Sequence, residues 1–250
     1  QLFQDAEYAF PYHYVSQYSG GFRNAFHDSW GIHYVSTIEY LLSRLGEFEW
    51  QSVLDVGCGD GRMCREISLR FPDRRVAGVD FSERAIALAK AMNFGCGRLE
   101  FEARDITVGV PVRKHDVVVM MEVLEHVPIG SSSDFLAAGA SQLMAGGYLL
   151  LTVPHENKAV EYKHFRHFNS STLKRLLEPQ FEVLEMVPFE RRSVALVLIQ
   201  MVLSNRYVLI QHQRFLNAIY YYYKRHLFNC RSELHCQRLF VLARVKARPL

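Results

Sequence analysis

The sequence predicts an α/β fold built on a parallel, doubly wound sheet with helices on both faces. Three observations indicate it. Apolar runs of strand length alternate with segments of helical periodicity from residue 31 to residue 187. The run 117–121 is apolar without interruption, which is typical of a strand buried on both faces of a parallel sheet. Three glycines follow the first strand within residues 57–61, and such turns border the ligand crevice of open α/β sheets.

The composition is that of a folded chain with a modest charge. Of its 250 residues, 49% are hydrophobic and 22% are charged, so the chain can bury a core in one domain with additions. The net charge of +3 predicts no broad basic face for nucleic-acid binding. The five cysteines include no CxxC pair, which favours free thiols and a cytoplasmic location. The most apolar run, residues 194–203, is too short to span a bilayer.

The periodicity assigns the elements in chain order. Apolar residues at helical spacing predict a helix over residues 31–46, ended by Gly46. Gly146 and Gly147 are assigned to the turn that precedes the fifth strand. The predicted strands are 52–56, 76–80, 99–103, 116–121, 148–153, 181–187 and 239–245, and the helices between them are 62–70, 82–92, 134–144 and 172–177.

Four segments follow from this order. Residues 1–46 combine an arm rich in aromatic residues with the first helix. We expect them to form a lid over a ligand, and the alternative is an arm that packs on the domain by its rings. Residues 47–192 form the core, residues 193–229 a helical insertion, and residues 230–250 the final strand that completes the core. The insertion carries four consecutive tyrosines with Lys224 and Arg225 beside them. It is a helical cap or dimer surface, or a wall for an apolar or glycolipid acceptor, or a surface that rests on a membrane.

The glycine turn differs from two common nucleotide sites. The Gly-x-x-x-x-Gly-Lys-Ser/Thr pattern of a phosphate-binding loop does not occur here. The spacing of Gly57, Gly59 and Gly61 also differs from the dinucleotide fingerprint Gly-x-Gly-x-x-Gly. Asp55 stands before the turn, where its carboxylate would repel phosphates but would suit a ligand that carries an ammonium group.

Two more acids follow the next two strands. Asp80 ends the second strand, where it can accept hydrogen bonds from ribose hydroxyls. Asp105 follows the third strand, where it can accept from an exocyclic amine while Ile106 covers a base. Each acid alone is more often a cap or turn residue. Three of them at successive strand ends describe a pocket for an adenosine with a cationic amino-acid tail and no phosphates, and S-adenosylmethionine (SAM) is such a ligand.

Four segments carry a resemblance to a known family, the class I SAM-dependent methyltransferases. They are DVGCGDG at 55–61, DFS at 80–82, DI at 105–106 and EVLEHV at 122–127. The similarity covers roughly residues 50–190 and is greatest to the branch that includes ubiquinone-biosynthesis O-methyltransferases. It implies a Rossmann-like sheet of seven strands with an antiparallel last strand. The cofactor contacts that it implies are Asp55, Gly57, Cys58, Gly59, Asp80, Phe81, Asp105, Ile106, Glu122 and Val123.

Four histidines are catalytic candidates on the acceptor side. Methyl transfer to a hydroxyl requires in-line positioning and removal of a proton by a base or a metal. His126 follows the fourth strand, His155 follows the fifth, and His164 and His167 come soon after it. We expect all four at the ligand edge of the sheet. The alternatives are that His126 orients its loop and that His164 and His167 are surface residues.

A divalent metal is a further hypothesis at this edge, although a metal-free site is the first expectation. Glu122, Glu125 and His126 have i, i+3, i+4 spacing, which puts them on one face of a helical turn. The pattern resembles the metal site of small-RNA 2′-O-methyltransferases and of some quinone O-methyltransferases. Oxygen and nitrogen ligands of this kind suit Mg²⁺ or Mn²⁺.

The expected function is SAM-dependent methyl transfer to a hydroxyl of a small-molecule, sugar or lipid-linked acceptor. One alternative is a metal-assisted RNA 2′-O-methyltransferase, which the modest charge disfavours. Others are an N-methyltransferase and a scaffold that binds SAM without turnover. The expected partner is a small-molecule or glycolipid acceptor rather than nucleic acid, with no transmembrane segment. Peripheral membrane contact and a homodimer stay open.

Overall fold

The computed structural model describes residues 29–96, 98–111, 113–204, 207–208, 210 and 212–247, and the two-residue strands Gln17–Tyr18 and Phe22–Arg23. The main strands are β1 Ser52–Val56, β2 Arg75–Asp80, β3 Leu99–Ala103, β4 His115–Met121, β5 Leu143–Pro154, β6 Phe181–Arg191 and β7 Cys236–Val245. The α-helices are α1 Ser29–Leu45, α2 Arg62–Arg70, α3 Glu83–Met92, α4 Ser132–Ser141, α5 Ser170–Leu177, α6 Val194–Leu203 and α7 Gln213–Tyr223. Most of the arm that we expect to form a lid lies outside the described residues.

The seven main strands form one sheet in the order β3-β2-β1-β4-β5-β7-β6. Neighbours from β3 to β5 are parallel, whereas β7 runs antiparallel between β5 and β6. The predicted seven-stranded sheet with an antiparallel last strand is therefore confirmed. The order of connection reverses between β1 and β4, and open α/β sheets bind ligands at the carboxyl ends of such strands.

Side chains alternate across the sheet and divide the core into two apolar layers. Val53 of β1 belongs to the layer formed with α1, α2 and the segment after β6, whereas Leu54 belongs to the layer formed with α4 and α5. In β4, Val117 and Val118 divide between the layers in the same way. Burial on both faces explains why β4 is apolar without interruption.

The fifth strand differs from its prediction. We expect a helix to residue 144 and a strand from residue 148, but α4 ends at Ser141 and β5 begins at Leu143. The pairing of β4 with β5 shifts register in its first residues, and Gly146 takes a φ of 75° there. A Cβ on Gly147 would lie 2.9 Å from the carbonyl oxygen of Asp116. The two glycines therefore form an irregularity within the strand instead of a turn before it.

The segment between β6 and β7 is helical, as predicted. It contains α6, α7 and the π-helical turn Lys224–Phe228. Both α6 and the π-helical turn pack against α1, and Leu196, Tyr223 and Leu227 are buried in that layer. Within the described ranges, none of the helices is long and apolar enough to cross a membrane.

Candidate active site

A cavity of about 620 Å³ opens at the carboxyl ends of β1, β2 and β4. This volume falls in the range of about 300–1,000 Å³ that is usual for ligand pockets. The structure brings all ten residues expected to contact the cofactor to the wall of this cavity. They are Asp55, Gly57, Cys58, Gly59, Asp80, Phe81, Asp105, Ile106, Glu122 and Val123.

The glycine turn after β1 passes close to the segment that follows β4. Gly57, Gly59 and Gly61 have φ angles of 73°, 56° and 77°, in a region that only glycine enters readily. A Cβ on Gly57 would lie 2.6 Å from a methyl carbon of Val123, and one on Gly61 would lie 2.7 Å from the ring of Phe101. Both conformation and space therefore require glycine, and the backbone of the turn is left open to the cavity.

Asp55 lies at the floor of the cavity, with only 2% of its surface exposed. Burial raises the pKa of its carboxyl to about 7, a hydrogen bond from the Cys64 thiol opposes this, and the nearby Asp80 carboxylate adds to it. An uncompensated carboxylate is costly in such a site, and a ligand cation would favour its ionised form. The floor of the cavity therefore suits an ammonium group.

Asp80 fixes the shape of the cavity next to the glycine turn. Its Oδ2 accepts a hydrogen bond from the backbone N–H of Gly59 at 3.1 Å, and its Oδ1 accepts one from the N–H of Ser82 at 2.9 Å. Ser82 in turn caps α3 by accepting from the N–H of Ala85 at 3.2 Å. Carboxylate oxygens accept more than one hydrogen bond each, so the same group can also receive ligand hydroxyls.

Asp105 and Ile106 form the wall after β3. Asp105 is exposed, and its Oδ1 accepts from the N–H and the hydroxyl of Thr107 at 2.8 and 2.7 Å. This is the local turn that aspartate often stabilises, and it holds the carboxylate at the cavity wall. Ile106 is buried beside it and gives the cavity an apolar surface.

A buried network of ions and hydrogen bonds backs the cavity. Arg238 of β7 donates from Nε to Glu122 Oε2 at 3.0 Å and pairs through Nη1 with Glu190 Oε2. Glu190 also accepts from the Tyr223 hydroxyl at 2.9 Å, and its Oε1 lies 3.5 Å from Nδ1 of His33. Burial acts to lower the pKa of Arg238, but Glu190 and then Glu122 raise it above its ordinary value.

The backbone is strained at both carboxylates of this network. Glu122 and Glu190 have φ angles of 55° and 56° and are the non-glycine residues with positive φ in the described part of the chain. Such conformations cost free energy and are found where the surroundings impose them. Here the two strained residues direct their side chains to the same guanidinium.

The expected arrangement of Glu122, Glu125 and His126 on one helical face is wrong. Glu122 precedes the turn in a left-handed conformation, and only Leu124–His126 form a single 3-10 turn. The Glu122 side chain therefore reaches Arg238, whereas Glu125 and His126 gather with His164. The i, i+3, i+4 spacing failed because it assumes continuous helical backbone.

A chain of hydrogen bonds fixes the histidine tautomers. His167 Nδ1 lies 2.9 Å from the carbonyl oxygen of Lys158, and His167 Nε2 lies 2.8 Å from His164 Nδ1. A carbonyl only accepts, so neutral His167 donates from Nδ1 and accepts at Nε2, and His164 donates from Nδ1. His126 Nδ1 likewise lies 3.3 Å from the carbonyl oxygen of Lys163. The lone pairs of neutral His126 and His164 are therefore on Nε2.

Glu125, His126 and His164 form a cluster at the cavity wall. One possible ligand atom from each lies within 4.8 Å of the other two. Glu125 is 1% exposed, and its Oε2 has no hydrogen-bond partner among the described residues. Burial and then the neighbouring Glu122 raise the pKa of Glu125 well above its ordinary value. Burial also lowers the pKa of His164 to about 3. The cluster thus offers donor atoms from three side chains to one atom of a bound molecule or ion.

Two of the four candidate histidines do not line the cavity. Nδ1 of His155 accepts from the N–H of Asn157 at 3.0 Å, and its Nε2 lies 3.0 Å from Oε1 of Glu233. Both ring nitrogens are occupied and the side chain is 3% exposed, so the structure gives His155 a role in holding the loop after β5. His167 lies behind His164 and orients it.

Sequence reasoning missed His33, Tyr34 and Arg238, which also line the cavity. The periodicity of α1 marks only its apolar face, so it did not single out the polar residues near its first turn. Arg238 had a signal, because it precedes an otherwise apolar strand in the sequence CQRLFVLA. A charge beside a predicted buried strand requires a buried partner.

Comparisons with known proteins identify the family. A family profile described as "Methyltransferase domain" matches residues 32–186. The chain is 35% identical over 119 residues to a trans-aconitate 2-methyltransferase from Streptomyces avermitilis, covering 46% of this chain and 44% of that protein. It is 31% identical over 126 residues to a ubiquinone biosynthesis O-methyltransferase from Leptothrix cholodnii, covering 48% and 51%. The chain spans about half the length of these curated relatives.

Solved structures share the fold. The N-methyltransferase NodS from Bradyrhizobium japonicum WM9, in complex with S-adenosylhomocysteine (SAH), has a TM-score of 0.58 at 16% identity over 86% of this chain and 87% of that one. Magnesium protoporphyrin IX methyltransferase from Synechocystis PCC 6803, with bound SAH, has a TM-score of 0.56 at 15% identity over 88% and 86%. These identities bear on the fold alone. The family profile and the sheet agree, and the chain belongs to the methyltransferase-domain family, with the Rossmann-like fold of the SAM-dependent methyltransferases.

Proposed function

We propose that this chain is a SAM-dependent methyltransferase that transfers a methyl group to a hydroxyl of a small-molecule, sugar or lipid-linked acceptor. One observation carries the proposal. A single cavity is lined both by the strand-end acids with their glycine turn and by the cluster of Glu125, His126 and His164. The first set has the chemistry to bind the cofactor, and the second has the chemistry to bind and deprotonate an acceptor.

The residues present fit the cofactor. SAM supplies a methyl group on a sulfonium centre, which a nucleophile attacks in line. Asp55 is buried without a full counter-charge, which suits the amino-acid tail of the cofactor, and Asp80 has acceptor capacity for ribose hydroxyls. A Cβ on Gly57 would clash with Val123. Glycine at this position therefore lets the backbone of the turn lie at the cavity wall. Ile106 and Phe81 supply apolar surface for a base.

The histidine cluster would handle the acceptor proton. In the proposed reaction, Nε2 of His126 accepts a hydrogen bond from the acceptor hydroxyl and takes its proton as the oxygen attacks. The pKa of His164, about 3, makes its Nε2 a weak proton acceptor, so His164 shapes the acceptor side of the cavity. His164 is kept in the required tautomer by His167, whose Nδ1–H is held by the Lys158 carbonyl. His167 is therefore a positioning residue. Holding the oxygen in line contributes as much as the base does.

Calorimetry with SAH and an acceptor panel test the proposal. We expect SAH to bind, and we expect His126→Asn to reduce turnover by about 10²-fold or more while SAH binding changes little. His226→Asn, at an exposed histidine, is the matched control. A folded chain that does not bind SAH would contradict the proposal. Tight SAH binding without turnover on hydroxyl acceptors, amines or RNA 3′ ends would favour a scaffold instead.

A second candidate is a metal-assisted form of the same reaction, and the cluster geometry favours it. Among the described residues, Oε2 of Glu125 is buried without a hydrogen-bond partner, and one ring nitrogen each of His126 and His164 lies within 4.8 Å of a Glu125 oxygen. Mixed carboxylate and imidazole ligands suit Mn²⁺ or Mg²⁺, and a bound ion would lower the pKa of an acceptor hydroxyl. The histidine partners behind the cluster are the kind that orient metal ligands.

Metal binding can be measured apart from activity. If the metal-assisted form operates, Mn²⁺ should bind the chain in the absence of cofactor, as followed by electron paramagnetic resonance. Glu125→Gln and His164→Asn should each remove that binding, whereas His226→Asn should not. If Mn²⁺ leaves the spectrum of free ion unchanged and chelators leave turnover unchanged, the base mechanism stands alone.

A further inference from the structure

The outer face of α6 is apolar and exposed in the described part of the chain. Its exposed large side chains fall at positions i, i+3, i+4, i+7 and i+8, which makes one continuous stripe along the helix. They are Val194, Val197, Leu198, Met201 and Val202. Leu196 and Leu203 on the other side are buried in the core. A surface helix ordinarily turns such a stripe inward, and an apolar stripe left exposed usually marks an interaction site.

The charge of the surrounding segment has one sign. Residues 191–232 contain seven lysines and arginines and no aspartate or glutamate. The whole chain has a net charge of +3, so the remainder of the chain is net negative. Among the described residues of this segment, the exposed arginines are Arg191, Arg192, Arg214, Arg225 and Arg231. Arg191 and Arg192 lie just before α6, so positive charge borders the apolar helix, and of the other cations Lys224 is paired with Glu39 at 3.2 Å.

Aromatic side chains of the same segment are exposed as well. Phe215, Tyr221 and Tyr222 of α7 are exposed by 45%, 72% and 46%. The two tyrosines have an apolar ring and a polar hydroxyl, and such side chains prefer the boundary between water and lipid. Both α6 and the π-helical turn after α7 pack on α1, which contributes His33 and Tyr34 to the cavity. The exposed surface is thus joined to the cavity wall through one helix.

We propose that the outer face of α6, with Arg191 and Arg192 beside it, docks this chain on a bilayer that contains anionic lipids, so that this face lies in the headgroup region. The helix is ten residues long, so it lies on the bilayer and does not span it. Charge decides between occupants. A second copy would bring the same basic residues to the contact, whereas anionic headgroups complement them. The inference does not depend on which acceptor the enzyme uses.

Vesicle sedimentation of the whole chain tests the proposal. We expect binding to vesicles of phosphatidylcholine mixed with phosphatidylglycerol, little binding to phosphatidylcholine alone, and weaker binding as salt is raised. The double variant L198E/M201E should bind at least about tenfold more weakly, because two large side chains lose their burial in lipid. L69E is the matched control, since Leu69 is an exposed leucine on α2.

Four outcomes would overturn the proposal. One is no binding to either vesicle, and another is binding that L198E/M201E leaves intact. A third is a dimer in lipid-free solution that L198E/M201E converts to monomer, because the stripe would then face a second copy. Thermal unfolding adds a check within the chain. If L198E/M201E lowers the melting temperature far more than L69E does, the stripe is covered by another part of this chain, and the proposal fails.

Discussion

Asp55 is a residue at which folding and ligand binding have opposite requirements. Its pKa is about 7 in the folded chain, against an ordinary value of 3.8. Between these two values the folded chain holds a proton that the unfolded chain has released, so stability falls as pH rises through this window. One pKa unit is about 1.36 kcal/mol, which puts the cost of ionised Asp55 at pH 8 on the order of 4 kcal/mol. A cofactor ammonium would offset this cost.

Substitution of Asp55 should therefore separate stability from binding. We expect Asp55→Asn to raise the free energy of unfolding at pH 8, to flatten its decline between pH 4 and 7, and to weaken SAH binding at least about tenfold. Chemical denaturation across pH and calorimetry measure the two effects. SAH binding to the native chain should also release a proton near pH 6, which calorimetry in two buffers detects.

Asp116 is the control of opposite sign. It is the second residue of β4, at the end of the strand far from the cavity. Its carboxylate accepts from the N–H of Gln51, the N–H of Ser52 and the Ser52 hydroxyl, each at 2.9 Å. These hydrogen bonds outweigh partial burial and lower its pKa, so its contribution to stability is present at neutral pH and lost on acidification. Asp116→Asn should destabilise the chain and leave SAH binding intact. A gain in stability in both variants would contradict this account.

At the level of single residues, the sequence predicts the residues of the cavity wall better than the buried ion network behind it. Asp55, Asp80 and Gly57 were predictable because parallel strands bring their carboxyl ends to one edge, so order along the chain maps onto position. Arg238 and Glu190 were not predictable as partners. They are joined by antiparallel pairing of β6 with β7 and by two strained backbone positions, and neither leaves a periodic trace in the sequence.

Among the elements, β7 connects the most distant parts of the site. Through Arg238 it joins the loop after β4, the end of β6 and α7, by way of Glu122, Glu190 and Tyr223. An arginine buried between two carboxylates adds little stability compared with apolar residues of the same volume, but removing one partner leaves charges without compensation. The network therefore holds the Glu122 segment in place against the cavity.

Arg238→Met should lower the free energy of unfolding by about 3–5 kcal/mol. The loss arises because the carboxylates of Glu122 and Glu190 stay buried without their cation. Lower pH should restore part of it, since protonated carboxyls need no counter-charge. Arg244→Met is the control on the same strand, because Arg244 is exposed, and it should change stability by no more than about 0.5 kcal/mol. Equal effects of the two substitutions, measured by urea denaturation, would rule out this role for the network.

The element boundaries show where periodicity is informative. The ends of helices and strands with one buried face were predicted to within a few residues, because burial of one face imposes a hydrophobic period on the sequence. The start of β5 was missed because Gly146 and Gly147 have the composition of a turn but lie within an irregular strand. The turn at Glu122 was missed for a related reason, since a single left-handed residue breaks the helical spacing without changing the residue types.

At the scale of the whole molecule, the cavity is formed by parts of the chain beyond the carboxyl ends of the strands. Its wall is completed by α1 through His33 and Tyr34, and α1 also supports α6 and the π-helical turn. His33 is buried, which lowers its pKa well below the ordinary value, with Arg238 acting in the same direction. A neutral histidine, a buried ion network and the helical insertion thus meet at one side of the cavity. Ligand binding at the sheet edge is therefore expected to stabilise this side as well.

Hydrogen exchange with and without SAH tests that expectation. Ligand at a hundred times its dissociation constant stabilises a chain by about 2.7 kcal/mol, and exchange should slow wherever opening requires ligand release. We expect slower exchange at Gly57, Ser82 and Glu125, and also around Tyr34 in α1. Phe181 and Val245 pair at the far end of the antiparallel strands β6 and β7. Exchange there should slow only to the extent of global stabilisation. Protection at the sheet edge without protection of α1 would show that the helix and its insertion are uncoupled from the cofactor site.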